Sequence, residues 1–265
     1  MDECPEKAER RAQKCQRIVD AAARIFAEHG YADTEMDRVA ASLGIAKGTL
    51  YLYFPGKKEL FFACVDEGMR QMQATIGAER DADGDPFERI SKAIRAYLTF
   101  YDEHPHFVEL LIQERAIFKH RKKPTYFEYR DANRGPWRDL YTNLRETGRI
   151  RADIPIDQML DMIGNLLYGT MFTNHFTGRT SSIDDQHRVL LAVLLEGILT
   201  DAERTNAPRP HFLPPREPLH LPGSQSNPWL QISMAFDFTQ QKNHLLQRHI
   251  NTCWHNRQTK RQRGT

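Results

Sequence analysis

The chain has 265 residues, 40% of them hydrophobic and 27% charged, with a formal net charge of +2. That length and apolar content support a real core, while a charge so near neutral excludes bulk attraction to nucleic acid or membrane and confines any anion-binding surface to a local patch. Cys4, Cys15, Cys64 and Cys253 have neither metal-ligand spacing nor the pairing of a secreted disulfide framework, which fits a reducing cytoplasm. The charged start, MDECPEKAERRAQKCQ, lacks an apolar signal core, and no segment approaches the ~18 uninterrupted apolar residues of a membrane span. The expectation is a cytoplasmic chain with no membrane partner.

Residues 1–16 read as a charged, solvated leader. From there Ile18, Ala22, Ile25 and Phe26 recur at helical spacing until His29-Gly30 supplies a stop. Thr34 is the expected cap of a second helix, with Asp37 reaching back as in a capping box, and Met36, Val39, Ala40 and Leu43 form its apolar face. Gly44 breaks that helix, a third of barely two turns runs through Leu50 and Tyr51, and Pro55-Gly56 closes it. A long fourth helix starts near Lys57 and fades in GAERDADGD. Asp85, Pro86 and Glu88 then mark a clean restart, with Phe87, Ile90, Ile94, Tyr97, Leu98 and Tyr101 on the buried face.

Further helices are expected at about 105–119, 124–147 with a bend at Gly135-Pro136, 156–177 and 182–204. The last two spread apolar residues over more than one face, as either central core helices or a pair that packs on its own domain and on a second subunit would. Half of the 14 prolines fall between Pro208 and Pro228, so residues 206–228 read as an extended linker and 229–265 as a basic tail, unstructured or an accessory helix. The fold class is therefore all-α: a three-helix N-terminal domain over 17–56 and a helical bundle over 57–205.

A helix, a sharp turn and a short second helix is the layout that sets one helix in the major groove while its predecessor crosses the backbone. Ala46, Lys47, Gly48 and Thr49 are small or flexible enough to approach base edges; Lys47 offers a donor for guanine or phosphate, Thr49 a hydroxyl and a methyl. Tyr51 and Tyr53 bring hydroxyls to the flanking backbone, with a core role beside Leu50 and Phe54 as the alternative for Tyr51. Lys57 opens the fourth helix, where free N–H groups favour a phosphate. The expected nucleic-acid contacts are thus Thr34, Lys47, Gly48, Thr49, Tyr51, Tyr53 and Lys57.

The stretch RIVDAAARIFAEHGYADTEMDRVAASLGIAKGTLYLYFPGKKELFFACV resembles the DNA-binding domain of the TetR/AcrR family of bacterial transcriptional regulators. Its matching positions include Phe26, Gly30-Tyr31, Thr34, Val39-Ala40, Gly44, Gly48-Thr49-Leu50-Tyr51, Tyr53-Phe54 and Lys58-Glu59-Leu60. Ala46 departs from the family's common Ser or Thr and removes a cap from the reading helix, and Glu35 sets a carboxylate where a Thr is common. The resemblance implies a homodimer on a pseudopalindromic double-stranded operator, nucleoid-associated in the cytoplasm and released by a small-molecule effector. It also implies pairing of the last two helices, with Leu166, Phe172, Leu191, Leu194, Leu195 and Ile198 at the interface.

The middle helices hold many aromatics, and an apolar cavity with a few orienting polar groups is expected from Tyr97, Tyr101, Glu114, Phe118, Trp137, Tyr141, Asn165, Tyr168 and Phe172. An ion pair of Glu114 with Arg115 or Lys119 is the alternative role for that carboxylate. No phosphate loop, HExxH pair or nucleophile elbow is present, and His104, His106 and His175 lack partners at ligand or triad spacing. The sequence therefore predicts no enzyme, cofactor or metal site. A scaffolding or nucleoid-associated protein of the same fold, without an effector, is the second reading.

Overall fold

Helix formation begins inside the charged leader, which stays solvated. The computed structural model describes residues 5–199, and α1 runs Pro5–Asp33. Its first turns are exposed and held by local side-chain pairs, including Arg10 to Glu6 at 3.8 Å and Gln16 to Asp20 at 2.9 Å. Burial starts only at Ile18, after which Val19, Ala22, Ala23 and Phe26 face inward. Gly30 interrupts the helix in the left-handed region, at φ 82°, where only glycine rests without strain.

α2 (Met36–Ser42) and α3 (Lys47–Tyr51) follow. Thr34 does not cap α2. The N-cap is Glu35, which makes no side-chain cap bond, while Thr34 is wholly buried and its hydroxyl donates to Gly30 O at 2.7 Å. Gly30 O accepts from both the Thr34 N–H, at 3.2 Å, and the Thr34 hydroxyl, so the side chain doubles the bond that closes the kink.

α4 (Lys57–Asp81) is the backbone of the molecule. Its first turns complete the N-terminal core, since Leu60, Phe61 and Cys64 are wholly buried and the Cys64 thiol lies 3.5 Å from Val19 O. Phe26 meets Phe61 edge-on at 5.2 Å. Its later turns, with Met69 and Met72 buried, pack along α5 (Pro86–Glu103). The boundary at residue 57 therefore divides the sequence but not the core. α5 starts as expected, with Asp85 accepting from Phe87 N at 2.9 Å and Pro86 in the first turn.

α6 (Pro105–Ile117) packs on α1 and passes close beside α4. A Cβ on Gly68 would lie 2.4 Å from the Phe107 ring, so glycine there sets the separation. The expected single helix over 124–147 is two, α7 (Thr125–Ala132) and α8 (Arg134–Glu146). The break falls at Asn133, ahead of the expected bend, because the Pro136 ring would strike the carbonyl four residues upstream, that of Ala132. α9 (Ile156–Thr177) and α10 (Ile183–Ile198) complete the bundle. α10 ends six residues short of the expected 204: Leu199 turns extended and pairs antiparallel with Ile150. The expectations for 206–228 and 229–265 lie outside the described residues.

Candidate nucleic-acid interface and internal cavity

The turn between α2 and α3 is built by backbone geometry. Gly44 sits at φ 64°, and Ile45 N returns to Ala40 O at 3.0 Å, so the chain reverses within the four residues 43–46. α3 is pinned by one side chain, Leu50, which is wholly buried. The rest of its first turn faces outward: Ala46, Lys47 and Gly48 are exposed, Thr49 is half-buried, and a Cβ at Gly48 would meet nothing within 4 Å. Ala46 is the N-cap and makes no side-chain cap bond.

Around this face the predicted contacts separate. Tyr51 is 43% exposed, which excludes the core role beside Leu50, whereas Tyr53 is half-buried against the core with the Lys14 ammonium 5.8 Å over its ring. Lys47 bonds Asp37 on α2 at 2.8 Å, and that carboxylate raises its pKa. Lys57 donates to Ala32 O at 3.0 Å and lies 4.8 Å over the Tyr31 ring, tying the start of α4 to the end of α1. Thr34, buried, offers its side chain to nothing outside. Leu52, 76% exposed beside Tyr51, was not anticipated, because a leucine next to a short helix reads as core.

Between its helices the bundle holds a cavity of about 120 Å³ that is partly open to solvent, so a ligand larger than one aromatic ring can extend out of it. Its walls come from Met72 and Ile76 of α4, Ile90, Ile94 and Tyr97 of α5, Tyr126 of α7, Trp137 and Tyr141 of α8, and Leu160, Ile163 and Leu167 of α9. Of the predicted lining, Tyr97, Trp137 and Tyr141 are there. The other expected residues are elsewhere, each for a physical reason. Tyr101 lines a separate polar hollow with Asp102, Asn174 and Arg179. Glu114 is buried and holds Arg121 at 2.5 Å, Thr125 N at 3.0 Å and the Thr125 hydroxyl at 2.8 Å, so its partner is neither Arg115 nor Lys119. Phe118 packs against Tyr31, Phe61 and Phe62, at 4.8 to 5.7 Å between rings. Asn165 is exposed, Tyr168 packs on Tyr126, Phe127 and Phe172, Phe172 also stacks on Phe176, and none of the three lines the cavity.

The polar groups of the cavity are mostly spoken for. The Tyr97 and Tyr126 hydroxyls lie 3.1 Å apart, and burial pushes the Tyr126 phenol up to about 12. Arg134 bonds Asp161 at 2.6 Å and Asp157 at 3.1 Å, and Arg130 bonds Asp131 at 3.1 Å. Arg130 and Arg134 are not anticipated from the sequence, because a charged helix face reads as solvated; only the Asn133 break turns them toward α9.

The predicted dimer residues also divide. Leu191, Leu195 and Ile198 are buried in the chain's own core, while Leu166, Leu194 and Phe172 are partly covered. The apolar residues left outside are Met162 and Phe176 on α9 and Val189 and Val193 on α10.

A helix-turn-helix domain seated on a helical bundle with an apolar cavity is the class these features define. Residues 18–64 match the model of bacterial regulatory proteins of the tetR family. The regulator YerO of Bacillus subtilis is 32% identical over 118 residues, 43% of this chain and 40% of its own. The repressor KstR2 of Mycobacterium tuberculosis is 28% identical over 145 residues, 53% of this chain and 70% of its own. In fold, the fatty acid degradation regulator FadR of Bacillus halodurans superposes with a TM-score of 0.61 at 20% identity, over 74% of this chain and 98% of that one. The chain spans 30% to 46% of the length of the first curated relatives it matches. The match to the tetR family thus covers the helix-turn-helix domain, residues 18–64, and the helices that follow share the fold of such regulators.

Proposed function

We propose that the chain is a cytoplasmic, sequence-specific transcriptional repressor that binds a pseudopalindromic operator as a homodimer and is released by a small, largely apolar effector. The observation that carries this reading is the open first turn of α3, where Ala46, Lys47 and Gly48 stand clear behind the buried Leu50 anchor. Tyr51 and Leu52 extend the same surface with a hydroxyl and an apolar group fit for a thymine methyl. The exposed Met162, Phe176, Val189 and Val193 support pairing of α9 and α10 across a twofold axis. The apolar cavity supports an effector, which need only favour the DNA-incompetent state, each tenfold preference contributing about 1.4 kcal/mol.

Selection of genomic fragments by the purified chain at near-physiological salt tests the reading. Enrichment of one inverted repeat is expected, and its loss when Lys47→Ala and Tyr51→Phe are introduced. Uniform, salt-sensitive retention of all fragments would reject it in favour of an electrostatic or scaffolding role.

A further inference from the structure

Of the buried tyrosines that line the cavity, Tyr97, Tyr126 and Tyr141, one is left without a partner. Tyr141 is 2% exposed and lines the cavity, and its hydroxyl has no hydrogen-bond partner among the described residues. The hydroxyl is not sealed against other atoms, because Gln113 Oε1 is the one described side-chain atom both inaccessible and unpartnered. Tyr97 and Tyr126, by contrast, satisfy one another, and Tyr97 also reaches Met171 Sδ at 3.7 Å. A phenol in such surroundings stays protonated, and a bound oxygen would supply the hydrogen bond that it lacks.

The two cations that line the cavity are already paired. Arg130 and Arg134 face Asp131, Asp157 and Asp161, and Arg138 adds a bond to Asp157 at 2.6 Å. Asp131 is paired with Lys123 as well. A carboxylate or phosphate entering here would have to break an existing ion pair to gain a cation, whereas an uncharged molecule loses nothing.

We propose that the effector is a neutral, mainly apolar molecule carrying a single hydroxyl or carbonyl oxygen, seated with that oxygen on the Tyr141 hydroxyl. This deepens the repressor reading and rests on it for the word effector, but the binding chemistry is testable without DNA. Displacement of N-phenyl-naphthylamine, a neutral apolar fluorophore, from the full chain by octanol, octanoate and chlorooctane compares head groups on one alkyl chain. Octanol is expected to compete at about fivefold lower concentration than chlorooctane, the worth of one net hydrogen bond. Octanoate is expected to need at least about tenfold more than octanol, since no free cation receives it.

Tyr141→Phe should bring octanol level with chlorooctane while leaving chlorooctane unchanged, a split that a merely structural tyrosine would not produce. Asp161→Asn, which leaves Arg134 only Asp157 as a carboxylate partner, should improve octanoate alone. Octanoate competing as well as octanol in the unaltered chain, an octanol advantage that survives Tyr141→Phe, or a fluorophore that does not enter would each overturn the proposal. If Tyr141→Phe fails to fold, the head-group order and Asp161→Asn still decide. A chain that prefers octanol but selects no operator refutes the repressor reading alone; one that selects an operator but prefers octanoate refutes only this inference.

Discussion

Glu114 shows how much a single buried carboxylate organises. It satisfies the first N–H of α7 at Thr125, accepts from the Thr125 hydroxyl and pairs with Arg121, whose guanidinium also stacks 4.8 Å from the Phe62 ring. Arg121→Met leaves that charge uncompensated. Because Arg121 is 30% exposed, water offsets part of the loss, and urea denaturation should show a destabilisation of about 2 kcal/mol. His187 makes a second residue-level case. Its ring nitrogen lies 2.9 Å from Ser91 O, and burial lowers its pKa below the ordinary 6.5, an effect reinforced by Arg95 and opposed by the Ser91 bond and Asp184. The folded state therefore binds its proton less readily than the unfolded chain. Its contribution to stability is complete above pH 6.5 and falls as pH drops from there toward the folded value. Melting temperature measured from pH 7 down to 5 should decline, and His187→Gln should flatten the decline.

The α2–α3 pair is the element on which the proposed DNA contact rests, and its charge is partly spent internally. Asp37 holds Lys47 across the turn, so Asp37→Asn should free a cation at the reading face. Tighter binding to an arbitrary duplex, with a salt slope steeper by about 0.9 per added phosphate contact, is expected in fluorescence anisotropy. This element was legible in the sequence because its determinants are local: Gly44 for the reversal, Leu50 for the anchor, small residues for the open face. Thr34 was misassigned for the opposite reason. A threonine ahead of an apolar run reads as a cap, and only the kink at Gly30 reveals which carbonyl its hydroxyl serves. The cavity was half legible. Its aromatics Tyr97, Trp137 and Tyr141 stand out in composition, but which of many aromatics face one space depends on how α7 and α8 part at Asn133, a packing outcome no periodicity encodes.

At the scale of the molecule, the apolar residues of α9 and α10 sort into two sets. Leu191, Leu195 and Ile198 face inward, and Met162, Phe176 and Val193 face outward with exposures of 68%, 66% and 63%. Helices that bury one face and leave another apolar face uncovered match an association surface. If the proposed dimer forms through this surface, Met162→Glu combined with Val193→Glu should convert it to a monomer in size-exclusion chromatography with light scattering, with the helical circular dichroism retained. Leu195→Ala should instead lower stability by about 2–5 kcal/mol, because it empties part of the chain's own core.

Phe118 and Gln113 bear on how such proteins are recombined. Gln113 on α6 donates to Phe26 O at 2.8 Å, and Phe118 lies among Tyr31, Phe61 and Phe62. A graft that moved residues 5–56 onto another bundle would take Tyr31 and Phe26 but abandon the groups that receive them. The transferable unit is thus discontinuous in sequence: any chimera built from this chain must carry the start of α4 and the 113–121 stretch along with the helix-turn-helix, or lose the contacts that seat it.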